Sequence, residues 1–455
     1  MPLSDLVPGE FLERAERAKV LLDRASRVRI LCHYDPDGTT SAAILAKACL
    51  RRGLEFHATM STVFDSALAK RVGEEGNECL LIADMGSGQL DAIEALGIPA
   101  IVLDHHQILR DSDKVVHLNP LLWGGDGAKG ACGATVSFLF SLALSEENWD
   151  LAGIALAGAI GDRQHAGGLS GWNEKLFAEA VGRKVLRRER RMMLRDGPVA
   201  AAIAASMQPY FVGLSGRKEA AGDAVRSLGL DPERQVKDLS PEERRLLSSH
   251  LHATLIAQGA NPEAVEMLVD DRYWIEPDAI YADELTAYVN ACCRLGEESL
   301  GMALCLGDRE AFAAAEGHRV RFETSVLESL QKLEGGDVHA MKHLQFFYHE
   351  SATMAGSVAG IAMPFFLDQA KPVIGLATTD GATKISARGT KYLVAKGLDL
   401  AVALREGAKA VDGVGGGHNV ASGATVPKGR EREFLMKVDE LVGGQLTPKE
   451  PGSPR

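Results

Sequence analysis

The sequence predicts a bilobal α/β protein: an N-terminal domain built on a doubly wound parallel sheet, a helical middle region and a smaller C-terminal α/β domain. Three observations predict it. Apolar, β-favouring runs that end in acids and glycine turns alternate with helix-like stretches in the first third of the chain. The stretch from Asn173 to Glu334 is mostly helical in pattern, and a second group of strand-like runs and glycines follows it. At 455 residues the chain is also too long for one compact core, so two or three domains are expected.

Taken in order, residues from Phe11 to Ala25 alternate apolar and charged at helical spacing, as an amphipathic lead-in helix does. Val28 to Cys32 reads as a buried strand, with His33, Asp35 and Asp37 just past its carboxyl end. Pro36 and Gly38 then break the chain before a helical run, Thr40 to Lys47. A second strand, in Glu78 to Ala83, runs into Asp84 and Gly86. A third, in Ile98 to Leu103, runs into Asp104, His105 and His106. The apolar segment Leu151 to Gly161 ends in Asp162, which is expected to arrive from a helix end. In the middle, Gly182 to Arg191 is a dense basic run, read as a solvated helix face or as a wall for single-stranded nucleic acid. Ser240 caps a helix opened by Pro241. Lys371 to Thr379 and Thr383 to Arg388 read as strands flanking an Asp380-Gly381 turn, and Gly443 to Arg455 reads as a disordered tail. The expected divisions are 1–175, 176–335, 336–442 and 443–455.

The composition, 46% hydrophobic and 25% charged, is that of an ordinary globular protein. Seven cysteines include no C-x-x-C pair, which fits neither a disulfide framework nor a zinc site. Met1 to Leu6 lacks the regions of a signal peptide. The longest apolar run is far below the roughly 20 residues a bilayer requires. A soluble, cytoplasmic protein with no membrane partner is the expectation. A net charge of −12 weighs against a nucleic-acid partner, but the sign of a whole chain says little about one groove.

In a doubly wound sheet the carboxyl strand ends share one edge, so His33, Asp35, Asp37, Asp84, Asp104, His105 and His106 can converge there. One acid after a strand is ordinarily a turn or a helix cap. Four acid-bearing ends, two of them with histidines, exceed that explanation. Crowded carboxylates and imidazoles need a cation to hold them, and mixed oxygen and imidazole donors suit Mn²⁺ or Mg²⁺. Two ions fit best. His33, Asp35 and Asp84 hold one, and Asp37, Asp84, His105 and Asp162 hold the other, with Asp84 bridging. Ions about 3.5–4 Å apart clamp the oxygens of an in-line phosphoryl displacement. Metal-assisted hydrolysis of a phosphoester or phosphoanhydride is the implied chemistry.

His33-Tyr34-Asp35-Pro36-Asp37-Gly38, Asp84, Asp104-His105-His106 and Gly161-Asp162 resemble, in order and spacing, the four signature motifs of the DHH phosphoesterase superfamily. Val414-Gly415-Gly416-Gly417-His418-Asn419 resembles the GGGH loop of the superfamily's DHH-associated second domain, and Ser386-Ala387-Arg388-Gly389 that domain's arginine segment. The whole is most similar to archaeal RecJ-like nucleases of the GINS-associated type. The resemblance implies that His33, Asp35, Asp37, Asp84, His105 and Asp162 ligate metal, that His106 contacts the scissile phosphate and that Asp104 orients the histidine pair. It implies that Arg388, Gly416, Gly417 and His418 bind a substrate phosphate. More weakly, it implies that Asn290 and Arg294, in a segment similar to the RecJ-type Asn-Ala-x-x-Arg, line the nucleic-acid path. Bacterial RecJ usually has Asp where this chain has His33, but histidine is common there elsewhere in the superfamily.

The expectation is a phosphodiesterase with two Mn²⁺ (or Mg²⁺) ions, acting as an exonuclease on single-stranded DNA, with RNA a second candidate, in replication or repair. The alternatives are a small-substrate enzyme cutting oligoribonucleotides, cyclic dinucleotides or phosphoadenosine phosphate, and a replication scaffold that binds GINS or other replisome proteins. Loss of a ligand would favour the scaffold; here every ligand is present.

Overall fold

The computed structural model describes residues 2–379 and 381–447. The chain divides into two compact units, Met1–Arg191 with Asp271–Phe322, and Met192–Asp270 with Glu323–Arg455. This division differs from the four sequential segments expected above. The middle of the chain is no separate body: its parts belong to one unit or the other. Among the described residues, no helix is long and apolar enough to cross a membrane.

In the first unit the lead-in helix is α1 (Gly9–Asp23), followed by β1 (Arg27–His33), α2 (Pro36–Arg51), β2 (Glu55–Ser61) and α3 (Ser66–Glu74). Then come β3 (Cys79–Ala83), α4 (Leu90–Ala95), β4 (Ala100–Leu103) and β5 (Val116–Leu118). The helices α5 (Gly133–Leu144), α6 (Ala152–Gly161) and α7 (Gly171–Gly182) complete the core. The five strands lie in the order β2-β1-β3-β4-β5 and every pairing is parallel. Their side chains alternate between two buried layers. Ile30, Cys32, Leu81, Ala83, Ile101 and Leu103 pack towards α1, α2, α5 and α6. Leu31, Leu80, Ile82 and Val102 pack with Leu68 and Val72 of α3 and Leu90 and Ile93 of α4. Both faces are covered, which is why the strands read as unbroken apolar runs. The strand order reverses between β1 and β3, so the crevice at their carboxyl ends is the topological switch point where such sheets bind ligands.

Pro36 does not break the chain, as expected from sequence, but opens α2 at its first turn, where a missing N–H costs nothing. Asp35 caps that helix, its Oδ1 accepting from the Gly38 amide at 3.1 Å. The basic run is likewise not a helix face. It forms β6 (Leu186–Met192) in a three-stranded sheet with β7 (Val269–Ile275) and β8 (Ile280–Tyr281). Its arginines face acids: Arg187 pairs with Glu189 and Glu276, and Arg188 with Asp271. Cross-strand charge pairing thus overrides the helix-forming bias of Arg and Lys.

The second unit carries a mixed sheet in the order β13-β14-β12-β11-β10-β9. Its strands are β9 (His339–Ala340), β10 (Gln345–Tyr348), β11 (Val373–Thr378), β12 (Ala382–Arg388), β13 (Val414–Gly417) and β14 (Ala421–Pro427). β11 and β12 form the expected antiparallel hairpin; Asp380 of its turn lies outside the described residues. Helices also contributed by the middle of the chain belong here, including Pro241–Ala257, whose Ser240 and Glu243 make a reciprocal capping box. The final helix runs Glu431–Leu446 with Val442 and Gly443 buried, so the start of the expected tail is helical. Residues 448–455 lie outside the described residues.

Candidate metal centre

The carboxyl edge of the first sheet brings together all eight acids and histidines that the four motifs supply. Asp84 follows β3 with φ 56°, a left-handed conformation that aspartate tolerates better than most residues. The strand therefore ends on a sharp turn that points its carboxylate into the switch-point crevice. Donor atoms of His33, Asp35 and Asp84 lie within 4.8 Å of one another, and so do those of Asp37, His105 and Asp162. Asp84 links the two clusters: its Oδ2 is 3.6 Å from His33 Nδ1 and its Oδ1 is 3.1 Å from His105 Nε2, and it also groups with Asp104, His105 and His106. His105 Nε2 also lies 3.4 Å from Asp162 Oδ2 and 3.7 Å from Asp37 Oδ2.

Several of these side chains are held from behind. The Asp37 carboxylate, fully buried, accepts the Gly133 and Ala134 amides at the start of α5 at 2.7 and 2.8 Å. A helix N-terminus favours the ionised form. α5 can approach this closely because residue 133 is glycine; a Cβ there would lie 2.6 Å from Asp84 Cβ and 3.0 Å from Asp37 Oδ2. His105 donates from Nδ1 to the Gly127 carbonyl at 2.6 Å, which turns Nε2 toward the carboxylates. Asp104 Oδ1 accepts from the His105 amide and from His106 Nδ1, both at 2.8 Å, while Oδ2 accepts from the Ser87 amide at 2.9 Å. His106, nearly half exposed, thus presents Nε2 away from Asp104.

Electrostatics make the same point. Burial works against ionising Asp84, but His105 and His33 hold its carboxyl well below the usual range. Burial would lower His33, yet Asp35 and Asp84 raise it to about 11. Burial, together with the charges of Asp84 and Asp162, pushes Asp37 well above the ordinary carboxylate value. Burial first, and then Asp84 and Asp35 against the opposing pull of His105, raises Asp162 to about 7. The cluster collects protons because it lacks positive charge. Asp84 Oδ2 is moreover buried without a hydrogen-bond partner among the described residues. An orphaned carboxylate oxygen among converging oxygen and imidazole donors fits divalent cations.

Of the other predicted positions, Arg294 stands at the end of helix Ala282–Arg294, with Nη1 3.4 Å from the Tyr34 hydroxyl beside His33. Its Nε is buried with no partner among the described residues. Asn290 lies one turn earlier on the same helix. In the second unit, Arg388 and the GGGH segment share one end of the sheet. Arg388 is in register with Ala421, Gly417 is in register with Ser422, and the His418 amide donates to the Ala421 carbonyl at 2.9 Å. The glycines form strand β13 instead of a loose turn. A Cβ on Gly415 would meet the Leu404 carbonyl at 2.7 Å, whereas Gly416 faces open space. Sequence reasoning missed the supports: Gly133, Ala134, the Gly127 carbonyl and the Ser87 amide. The even spacing of Gly127, Gly130 and Gly133 was the available signal for the first of these.

Comparison with known proteins agrees with this geometry. Residues 27–159 match the DHH family N-terminal domain and residues 343–444 the DHHA1 domain. An uncharacterized protein of Methanocaldococcus jannaschii is 32% identical over 448 residues, covering 96% of this chain and 98% of its own length. The chain belongs to the DHH superfamily and is RecJ-like. The single-stranded-DNA-specific exonuclease RecJ of Thermus thermophilus is 29% identical over 195 residues, 40% of this chain and 29% of that protein. Its crystal structure with Mn²⁺ superposes at TM-score 0.61 and 23% identity, over 97% of this chain and 56% of the longer RecJ chain. CDC45 of Entamoeba histolytica shares the fold at TM-score 0.65 and 11% identity, over 95% of this chain and 99% of its own. This RecJ-like protein therefore has a DHH phosphoesterase fold with an acidic cluster suited to divalent metal, which supports a metal-dependent hydrolase.

Proposed function

We propose that this protein is a single-strand-specific exonuclease that hydrolyses phosphodiester bonds of DNA, with RNA the alternative strand, in replication or repair. The observation that carries the reading is the pair of clusters, His33–Asp35–Asp84 and Asp37–His105–Asp162, linked through the Asp84–His105 contact and lying beside a half-exposed His106. His33, Asp35 and Asp84 would hold one Mn²⁺ or Mg²⁺, and Asp37, Asp84, His105 and Asp162 the second. Bound there, two cations supply Lewis acidity to the phosphoryl group and activate water. The remaining work falls to the chain. Asp104 fixes His106 by accepting from Nδ1, so Nε2 is free to donate to a phosphoryl oxygen. Burial lowers and Asp104 raises the His106 pKa, the latter prevailing, which shifts the imidazole toward its cationic, donating form. Arg294, with an unsatisfied Nε, is a candidate grip on a backbone phosphate, with Asn290 beside it. Arg388, Gly416, Gly417 and His418 are the corresponding candidates in the second unit.

A scaffold role beside GINS is compatible with the fold shared with CDC45, but the intact ligand set favours catalysis. Digestion of 5′- and 3′-labelled single-stranded DNA and RNA with Mn²⁺, beside Asp84→Ala, tests the reading. Stepwise, metal-dependent shortening that the substitution abolishes is expected, and the labels report polarity. Survival of long strands with cleavage of dinucleotides would move the assignment to a small-substrate enzyme. No cleavage by folded, metal-loaded protein would leave the scaffold.

A further inference from the structure

Behind the ligands Asp37, His105 and Asp162 lies a buried chain of side-chain amides that none of the four motifs contains. Helix α6 ends at Asp162, and Arg163 takes a left-handed conformation, φ 59°. The Gln164 amide then closes the turn on the Ala159 carbonyl at 2.9 Å. This turn sends Asp162 toward the cluster and Gln164 the other way, into the loop that carries Gly127. Gln164 Nε2 donates to the Gly127 carbonyl at 3.1 Å and to the Ala131 carbonyl at 3.2 Å. Its Oε1 accepts from Asn173 Nδ2 at 2.7 Å. Asn173 Nδ2 also donates to the Lys129 carbonyl at 3.4 Å, and its Oδ1 accepts from the Thr135 hydroxyl at 2.6 Å. Gln164, Asn173 and Thr135 are at most 1% exposed. Both protons of each amide nitrogen are used and each amide oxygen accepts one bond, so only one orientation of each group satisfies the network.

The network touches the support of every ligand in one cluster. Gly127, which Gln164 grips, is the acceptor that fixes the His105 Nδ1–H tautomer. Thr135 lies in the first turn of α5, whose amides at 133 and 134 clamp Asp37. Gln164 itself continues the turn that aims Asp162. Among the described residues, none of the hydrogen bonds made by the three side chains goes to His33, Asp35 or Asp84. We infer that Gln164, Asn173 and Thr135 are positioning residues that set the affinity of the Asp37–His105–Asp162 site for its divalent cation, while leaving the His33–Asp35 site unchanged. The inference rests on the two-ion reading above.

The test is calorimetric titration of full-length protein with Mn²⁺, with melting temperature recorded in parallel. Wild type is expected to show two classes of site. Gln164→Met removes both donors at similar size and should weaken one class by roughly 10- to 100-fold, the usual effect of losing such outer-shell support. In an Asp162→Asn background the same substitution should add little, because both changes act on one ion. Thr135→Val, which removes only the hydroxyl, should weaken the same class less, and Thr135→Ser should restore it. This pair also covers the case in which Gln164→Met does not fold. Lowered melting temperature with both classes unchanged, or both weakened equally, would reduce the network to a structural one and overturn the inference. Wild-type protein that binds no Mn²⁺ would instead overturn the metal-centre reading, and this inference with it.

Discussion

The metal cluster of the first unit and the Arg388–His418 edge of the second are built on opposite plans. Asp37, Asp84 and Asp104 are at most 2% exposed, and a hydrogen bond from backbone or imidazole reaches each carboxylate. His418 is exposed, Gly416 faces open space, and Arg388 is half-buried beside Gly356 and Gly360. Cations demand ligands fixed to a few tenths of an ångström in a dry setting, so rigidity is supplied before binding. A polyanionic strand needs accessible donors and tolerates their motion. The contrast predicts that substitutions in the first region act on metal and turnover, and those in the second on substrate affinity.

The largest break is expected from Asp84→Asn. Asparagine keeps the left-handed turn but removes the charge that links the two clusters, so hydrolysis of labelled single strands should become undetectable while the melting curve stays cooperative. Retained activity would remove Asp84 from the centre. A sharper comparison uses one substitution in two places. Gly133→Ala forces a methyl group against Asp84 and Asp37 and should cost about 1–3 kcal/mol in chemical denaturation, together with weakened Mn²⁺ binding. Gly416→Ala enters open space and should change stability by no more than about 0.5 kcal/mol, with Mn²⁺ binding intact.

Arg388→Ala should raise KM roughly tenfold, the loss expected for one charge-assisted hydrogen bond, with kcat nearly constant. A fall in kcat alone would place Arg388 in the chemical step. The remaining test is the pH dependence of metal affinity. With no cation bound, Asp162 titrates near 7 and His33 near 11, both raised, so both carry protons below those values. Ligation requires the deprotonated forms, hence binding releases protons and affinity rises with pH. From pH 6 to 8 the apparent Mn²⁺ association constant should climb by about one order of magnitude per pH unit for each proton released, flattening by one proton above Asp162's value. A flat profile would mean that neither group ligates.

Much of this was written locally. Apolar runs ending in acids specified β1, β3 and β4, and the four motifs named every acid and histidine that converges in the cluster, because strand alternation and turn chemistry depend on neighbouring residues. The Ser240 cap was equally legible. What the tertiary structure alone decided are the partners brought together from far along the chain. The clamp on Asp37 comes from amides 96 and 97 residues away. The Gln164–Asn173–Thr135 network joins a helix end, two helix starts and a loop, and none of its members stands out in sequence from the other polar residues. The basic run became a strand because acids of β7 and its flank met it, and the last helix continued to Leu446 because Val442 and Gly443 found a core to enter. Local pattern fixes which residues can ligate; only packing fixes what stands behind them, since a buried polar group takes whichever partner the fold delivers.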